Sequence, residues 1–105
     1  MKKIRIWADT HSTGIFDSKG EFYSKNETTI LDKTWNKLQQ WVEDYDYIIP
    51  MDEVEREKHQ REIVELDTRG KELMKEIEAE WNTDVKTGED LYFVYYSEGL
   101  MKELP

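Results

Sequence analysis

Residues 91–96 read Leu91-Tyr92-Phe93-Val94-Tyr95-Tyr96. Aromatic and branched side chains of this kind favour a pleated strand. With apolar groups on both faces, such a strand needs cover on both, as strands of parallel sheets have. The run therefore predicts a largely buried strand in which only tyrosine hydroxyls reach water. What pairs with it decides the fold.

Upstream, residues 82–90 form a polar turn around Gly88. Before it a helical pattern runs from about Asp52 to Trp81, with Ile63, Leu66, Gly70, Leu73, Ile77 and Trp81 on one stripe. Gly70 costs about 1 kcal/mol against alanine inside a helix, so its expected use is steric: a bare Cα lets a neighbour approach closely. Leu31, Trp35, Leu38, Val42 and Tyr45 mark a second helix, running to about Asp44. Thr29 and Asp32 resemble a capping box at its start. Residues 3–9 alternate as a strand, and Tyr45-Asp46-Tyr47-Ile48-Ile49, closed by Pro50, reads as another.

The order strand, helix, strand, long helix, strand predicts an α/β fold: a small sheet of about three strands (β-α-β-α-β order) packed against two helices, the second long. Residues 1–105 are expected to form one domain. Trp35, Leu38, Ile63, Leu73 and Ile77 are its expected core. Residues 15–16 offer a short extra strand, which would make the sheet mixed, and the tail from Glu98 offers a last helical turn. Thirty helical residues would span about 45 Å, against a diameter near 33 Å for a compact chain of this length, whose radius of gyration is about 13 Å. Residues 52–62 hold one apolar side chain besides Met51 next to them, Val54. That segment is expected to project into solvent, or the helix to break or start late near Lys58.

Net charge is −9, with no cysteine. Thiolate chemistry and disulfides are excluded. Direct nucleic-acid binding and attachment to an anionic membrane are disfavoured, since both rest on Lys and Arg. No signal-peptide pattern or membrane-length apolar run occurs, and a cytoplasmic location is expected. The charge is uneven: residues 32–57 carry three basic groups against eight acidic ones. Glu43, Asp44, Asp46, Asp52, Glu53, Glu55 and Glu57 form an acidic belt opposed within its span only by Arg56. Glu43 and Asp44 also fall at a helix C-terminus, where the macrodipole disfavours negative charge.

Enzyme templates find little support. The first strand ends in Asp9-Thr10-His11, as metallophosphoesterases begin. Two-metal chemistry needs several more carboxylates and imidazoles, and the chain has only one further histidine, His59. No glycine-rich phosphate loop and no G-x-S-x-G elbow is present. No catalytic residue, metal ligand or cofactor is expected.

The opening Arg5-Ile6-Trp7-Ala8-Asp9, the Phe16-Asp17-Ser18-Lys19-Gly20 turn, the helix end from Trp41 to Asp46, and Arg69-Gly70-Lys71-Glu72-Leu73 occur together elsewhere. In them the chain resembles a family of small acidic bacterial proteins of uncharacterised activity that open with an R-I-W-A-D motif. It departs in Thr10-His11, where an aromatic is common, and in the charged stretch 52–62. The resemblance implies a bacterial origin and a shared α/β fold, and carries over no catalytic residue.

The expected function is that of a small acidic interaction protein binding a basic partner at the belt, as immunity proteins bind nuclease toxins. Two alternatives are a metal-dependent hydrolase using Asp9 and His11 and a nucleic-acid mimic whose carboxylates imitate phosphates. Oligomeric state is not readable from the residues.

Overall fold

In a computed structural model describing all 105 residues, β1 (Lys2–Trp7) and β3 (Leu91–Ser97) lie side by side and parallel. Ile4 stands opposite Phe93, and Ile6 opposite Tyr95. Two short antiparallel strands flank this pair, β2 (Ile15–Phe16) against β1 and β4 (Lys102–Leu104) against β3. The four-stranded order is β2-β1-β3-β4. Three helices, α1 (Asp32–Tyr45), α2 (Glu53–Lys58) and α3 (Gln60–Glu80), complete an α/β fold with a mixed sheet. No helix is long and apolar enough to cross a membrane.

Helices cover one sheet face only. Ile4, Ile6, Ala8, Ile15, Leu91 and Tyr95 therefore join Leu38, Trp41, Tyr45, Ile63, Ile77 and Trp81 in a single core. The alternate residues Trp7, Phe16 and Tyr96 lie on the other face, their rings in a row with centroids 4.8 and 5.1 Å apart. Residues 91–96 are thus buried by alternation rather than throughout, and Tyr92 is exposed. A strand largely buried on both faces would need a second layer over the other face, which this short chain does not have.

The expected strand at 45–49 is not a strand. Tyr45 ends α1, and three-residue turns follow, Ile48 N–H to Tyr45 O and Met51 N–H to Ile48 O. Tyr45 and Ile48, three residues apart and fully buried, continue the stripe of α1 instead of starting a period-two pattern. The tail forms β4 where a helical turn was expected.

The stripe of α3 is buried as read, while that of α1 is rotated. Thr34, Leu38, Trp41, Val42 and Tyr45 face inward, Leu31 is exposed and Trp35 is only partly buried. The capping box at residues 29–32 does not form. Glu80 at the end of α3 serves instead, accepting from the Leu31 N–H at 2.9 Å and the Thr34 hydroxyl at 2.6 Å. Asp32 pairs with Lys25.

Gly70 admits the close approach that its position suggested. A Cβ there would meet Tyr95 Cε1 at 2.4 Å and Trp41 Cζ2 at 2.5 Å. The predicted break near Lys58 occurs at His59, which closes α2 and opens α3 with φ −111° and ψ 23°. Its Nδ1 lies 2.8 Å from Glu55 O.

Candidate functional site

The belt is a run in sequence whose acids meet different surroundings. Asp44 accepts from the Gln40 amide at 2.8 Å and the Arg69 guanidinium at 3.0 Å. The Gln40 hydrogen bond, and after it Arg69, hold its carboxyl below the ordinary aspartate range. The cost of an acid at the end of α1 is thereby relieved at Asp44 and remains at Glu43. Asp46 accepts from the Thr10 hydroxyl at 2.5 Å. Asp52 caps α2, accepting from the Glu55 N–H at 2.8 Å. No ion pair engages Glu43, Glu53, Glu55 or Glu57, and all four are exposed.

Arg56, the cation expected to oppose the belt, turns inward. It is 9% exposed. Its Nε donates to Met51 O at 2.9 Å and one terminal nitrogen to Ile49 O at 2.8 Å. The other donates to Glu98 O, and the Glu98 carboxylate stands 3.7 Å from the guanidinium. One side chain therefore ties α2 to the loop at 49–51 and to the turn between β3 and β4. A helix of six residues with Val54 as its only apolar side chain has little else to hold it down.

Between these segments runs a groove of about 800 Å³. Met51, Val54, Ile63, Leu100 and Met101 supply its apolar surface, and Asp52, Glu53 and Glu57 its carboxylates. Glu43, Asp44, Asp46 and Glu55 do not line it. Val54 is 61%, Leu100 40% and Met101 65% exposed. Met101 also has φ 58°, a left-handed conformation unusual for a side chain of this size.

A second network fixes the same wall from inside. Asp67, on α3, accepts hydrogen bonds from the hydroxyls of Tyr45 at 2.9 Å, Tyr95 at 2.7 Å and Ser97 at 2.7 Å. Tyr45 Oη accepts from the Gly99 N–H at 2.7 Å, and Ser97 Oγ from the Leu100 N–H at 3.0 Å. Burial pushes both phenols above the ordinary tyrosine range, and at Tyr95 the hydrogen bond to Asp67 adds to it.

The sequence offered the acidic half of the groove and missed part of the apolar half. Val54 stood out as a lone apolar residue, but Leu100 and Met101 lay in a tail read as helical. An apolar pair directly after a turn glycine, Gly99, is the signal that could have marked them.

Asp9 and His11 occupy the loop after β1. Asp9 Oδ1 accepts from the Thr10 N–H at 3.0 Å, and Asp9 O from the Ser12 hydroxyl at 2.7 Å. His11 is exposed, with φ 58°. Nowhere do three or more His, Asp or Glu side chains gather in a way that could hold a metal ion. No protein-family model matches the chain, and comparison with curated proteins gives no match.

Proposed function

We propose that the chain is a small interaction protein that takes a basic protein partner on the surface around α2. The kind of partner that an immunity protein neutralises, such as a basic nuclease toxin in the cytoplasm, suits that surface. The observation carrying this reading is the inward turn of Arg56. With its donors spent on backbone carbonyls and Glu98, it does not screen Glu53, Glu55 and Glu57. These carboxylates present an outward negative field with no partner of their own. Such a field speeds association with a cationic surface and selects against anionic ones.

The test is calorimetry and stopped-flow association against the purified basic protein encoded beside this gene. Saturable one-to-one binding, with association slowing as salt rises, supports the reading. Gene neighbourhoods without a basic toxin across several relatives, together with no binding to the neighbour tested, would overturn it.

A further inference from the structure

We propose that the groove beside α2 holds its basic partner through an apolar anchor. A bulky aliphatic or aromatic side chain of the partner seats against Val54, Leu100 and Met101, while flanking lysines or arginines reach Asp52, Glu53 and Glu57. The inference rests on the reading of the chain as a binder of basic proteins. It adds what charge alone leaves open, namely which residue type the partner must insert.

Three observations converge on it. Val54, Leu100 and Met101 are 61%, 40% and 65% exposed and face one groove. Single exposed apolar residues need no explanation, but three grouped at one concavity mark a contact surface. A volume of about 800 Å³ falls within the usual span of roughly 300–1,000 Å³ for clefts that enclose a ligand group.

The walls are also built before any partner arrives. Arg56 ties α2 to Ile49, Met51 and Glu98. The Tyr45 and Ser97 hydroxyls hold the backbone of Gly99 and Leu100. Met101, kept at φ 58°, stays exposed at the edge of this braced turn, and its flexible thioether can adapt to different anchors. A preformed site loses less free energy to ordering when it binds.

Charge settles the kind of occupant. The only cation lining the groove is Arg56, and its donors are engaged. Asp52, Glu53 and Glu57 take part in no ion pair within the chain, which leaves them open to cations of a partner. A second copy of this chain, itself at −9, is the wrong occupant.

The full-length protein is titrated by calorimetry with three synthetic helical peptides of equal length: lysine with leucine on one face, lysine with alanine in place of leucine, and glutamate with leucine. The lysine–leucine peptide should bind at least about tenfold more tightly than the lysine–alanine peptide, and the glutamate–leucine peptide should not bind. The double variant V54S/L100S, both changes at solvent-exposed positions, should lower lysine–leucine affinity to the lysine–alanine level. Its thermal melting by circular dichroism should stay at the wild-type position.

Equal binding of the two lysine peptides would overturn the anchor and leave the charge-based reading standing. Binding of the glutamate–leucine peptide, or no binding of either lysine peptide, would overturn both. Sedimentation showing that the wild type dimerises and V54S/L100S does not would assign the groove to a second copy and also overturn the proposal.

Discussion

Asp67 and Glu57 stand on consecutive helices, and their carboxylates meet opposite surroundings. Asp67 is 4% exposed and accepts three hydroxyl hydrogen bonds with no cation beside it. Glu57 is exposed and has no ion-pair partner. Burying a carboxylate is tolerable only when its lone pairs are filled, and the phenols of Tyr45 and Tyr95 with the Ser97 hydroxyl fill them. Asp67 thus joins α1, α3 and β3 at one point, and its contribution is to the fold. The exposed acids around α2 join nothing, and their contribution is a field available to a partner. In a chain with 24 acidic residues, it is the partner set of a carboxylate, not its presence, that separates structure from function.

The sharpest way to break this contrast is to remove the buried acid. Asp67→Ala leaves three buried hydroxyls without their acceptor and opens space beside Tyr95. Unsatisfied buried donors cost about 1–3 kcal/mol each, so with partial relaxation the loss should be about 3–5 kcal/mol. Urea unfolding at constant m-value measures it. A loss below about 1 kcal/mol would mean that the network is incidental and that the contrast with the belt is false.

Alkaline titration tests the same network without mutation. Burial, and at Tyr95 also Asp67, raise the folded phenols above their ordinary value. As pH rises the unfolded chain therefore loses its phenolic protons first. The stabilisation is complete below the unfolded phenol value of about 10. Above it, stability should fall by about 1.4 kcal/mol per pH unit for each tyrosine until the folded phenols ionise. Replacing Tyr45 or Tyr95 by Phe should remove one tyrosine's share of that slope. Tyr23 and Tyr47, also raised mainly by burial, add to the loss above the unfolded phenol value. Lys2, raised mainly by its hydrogen bond to Asp84, adds one at still higher pH, and the Phe variants leave these in place. A slope unchanged in both variants would show that neither phenol is held as described.

These two regions differed just as much in how far the sequence showed them. Exposed acids can be read directly, because their run is local and Arg56 is the one cation within it. Asp67 could not be singled out among so many acidic helix residues, since its partners come from residues 45, 95 and 97. The steps of the α3 stripe found Ile63, Leu66, Leu73 and Ile77, because burial there follows helix periodicity. The same reading failed at 45–49, where five residues are too few to separate a strand from turns that keep a three-residue spacing. It failed again at 98–105, where pairing with β3, a tertiary event, makes Lys102–Leu104 a strand. The resulting hairpin carries Leu100 and Met101, and so that side of the groove stayed hidden.

Gly70 probes the packing around the buried network with a smaller perturbation. An added Cβ would press on the rings of Tyr95 and Trp41, rigid groups with little room to give. Gly70→Ala gains about 1 kcal/mol of helix propensity against an overpacking cost of about 1–3 kcal/mol. The net result should be a destabilisation of about 1 kcal/mol in urea unfolding. A net stabilisation would show that Tyr95 can move, and with it the hydrogen bond to Asp67.

The smallest expected effect on stability belongs to the belt, and its smallness is the point. Glu43→Lys, Glu53→Lys and Glu57→Lys together change the net charge by six, from −9 to −3, yet break no ion pair. At Glu43 a cation replaces an acid at the C-terminal end of α1, which has no basic residue in its last turn, a gain of about 0.3–1 kcal/mol. At Glu53 the reverse holds, because that acid sits in the first turn of α2, and the two terms nearly cancel. Reduced self-repulsion adds slightly to the folded side. The urea midpoint should therefore move by no more than the equivalent of about 0.5 kcal/mol, as surface changes usually do. Association with a basic partner should meanwhile slow by about tenfold or more and lose most of its dependence on salt. A triple variant destabilised by more than about 1 kcal/mol would place these acids with Asp67 as structural groups. Unchanged association with an identified partner would reduce them to a source of solubility.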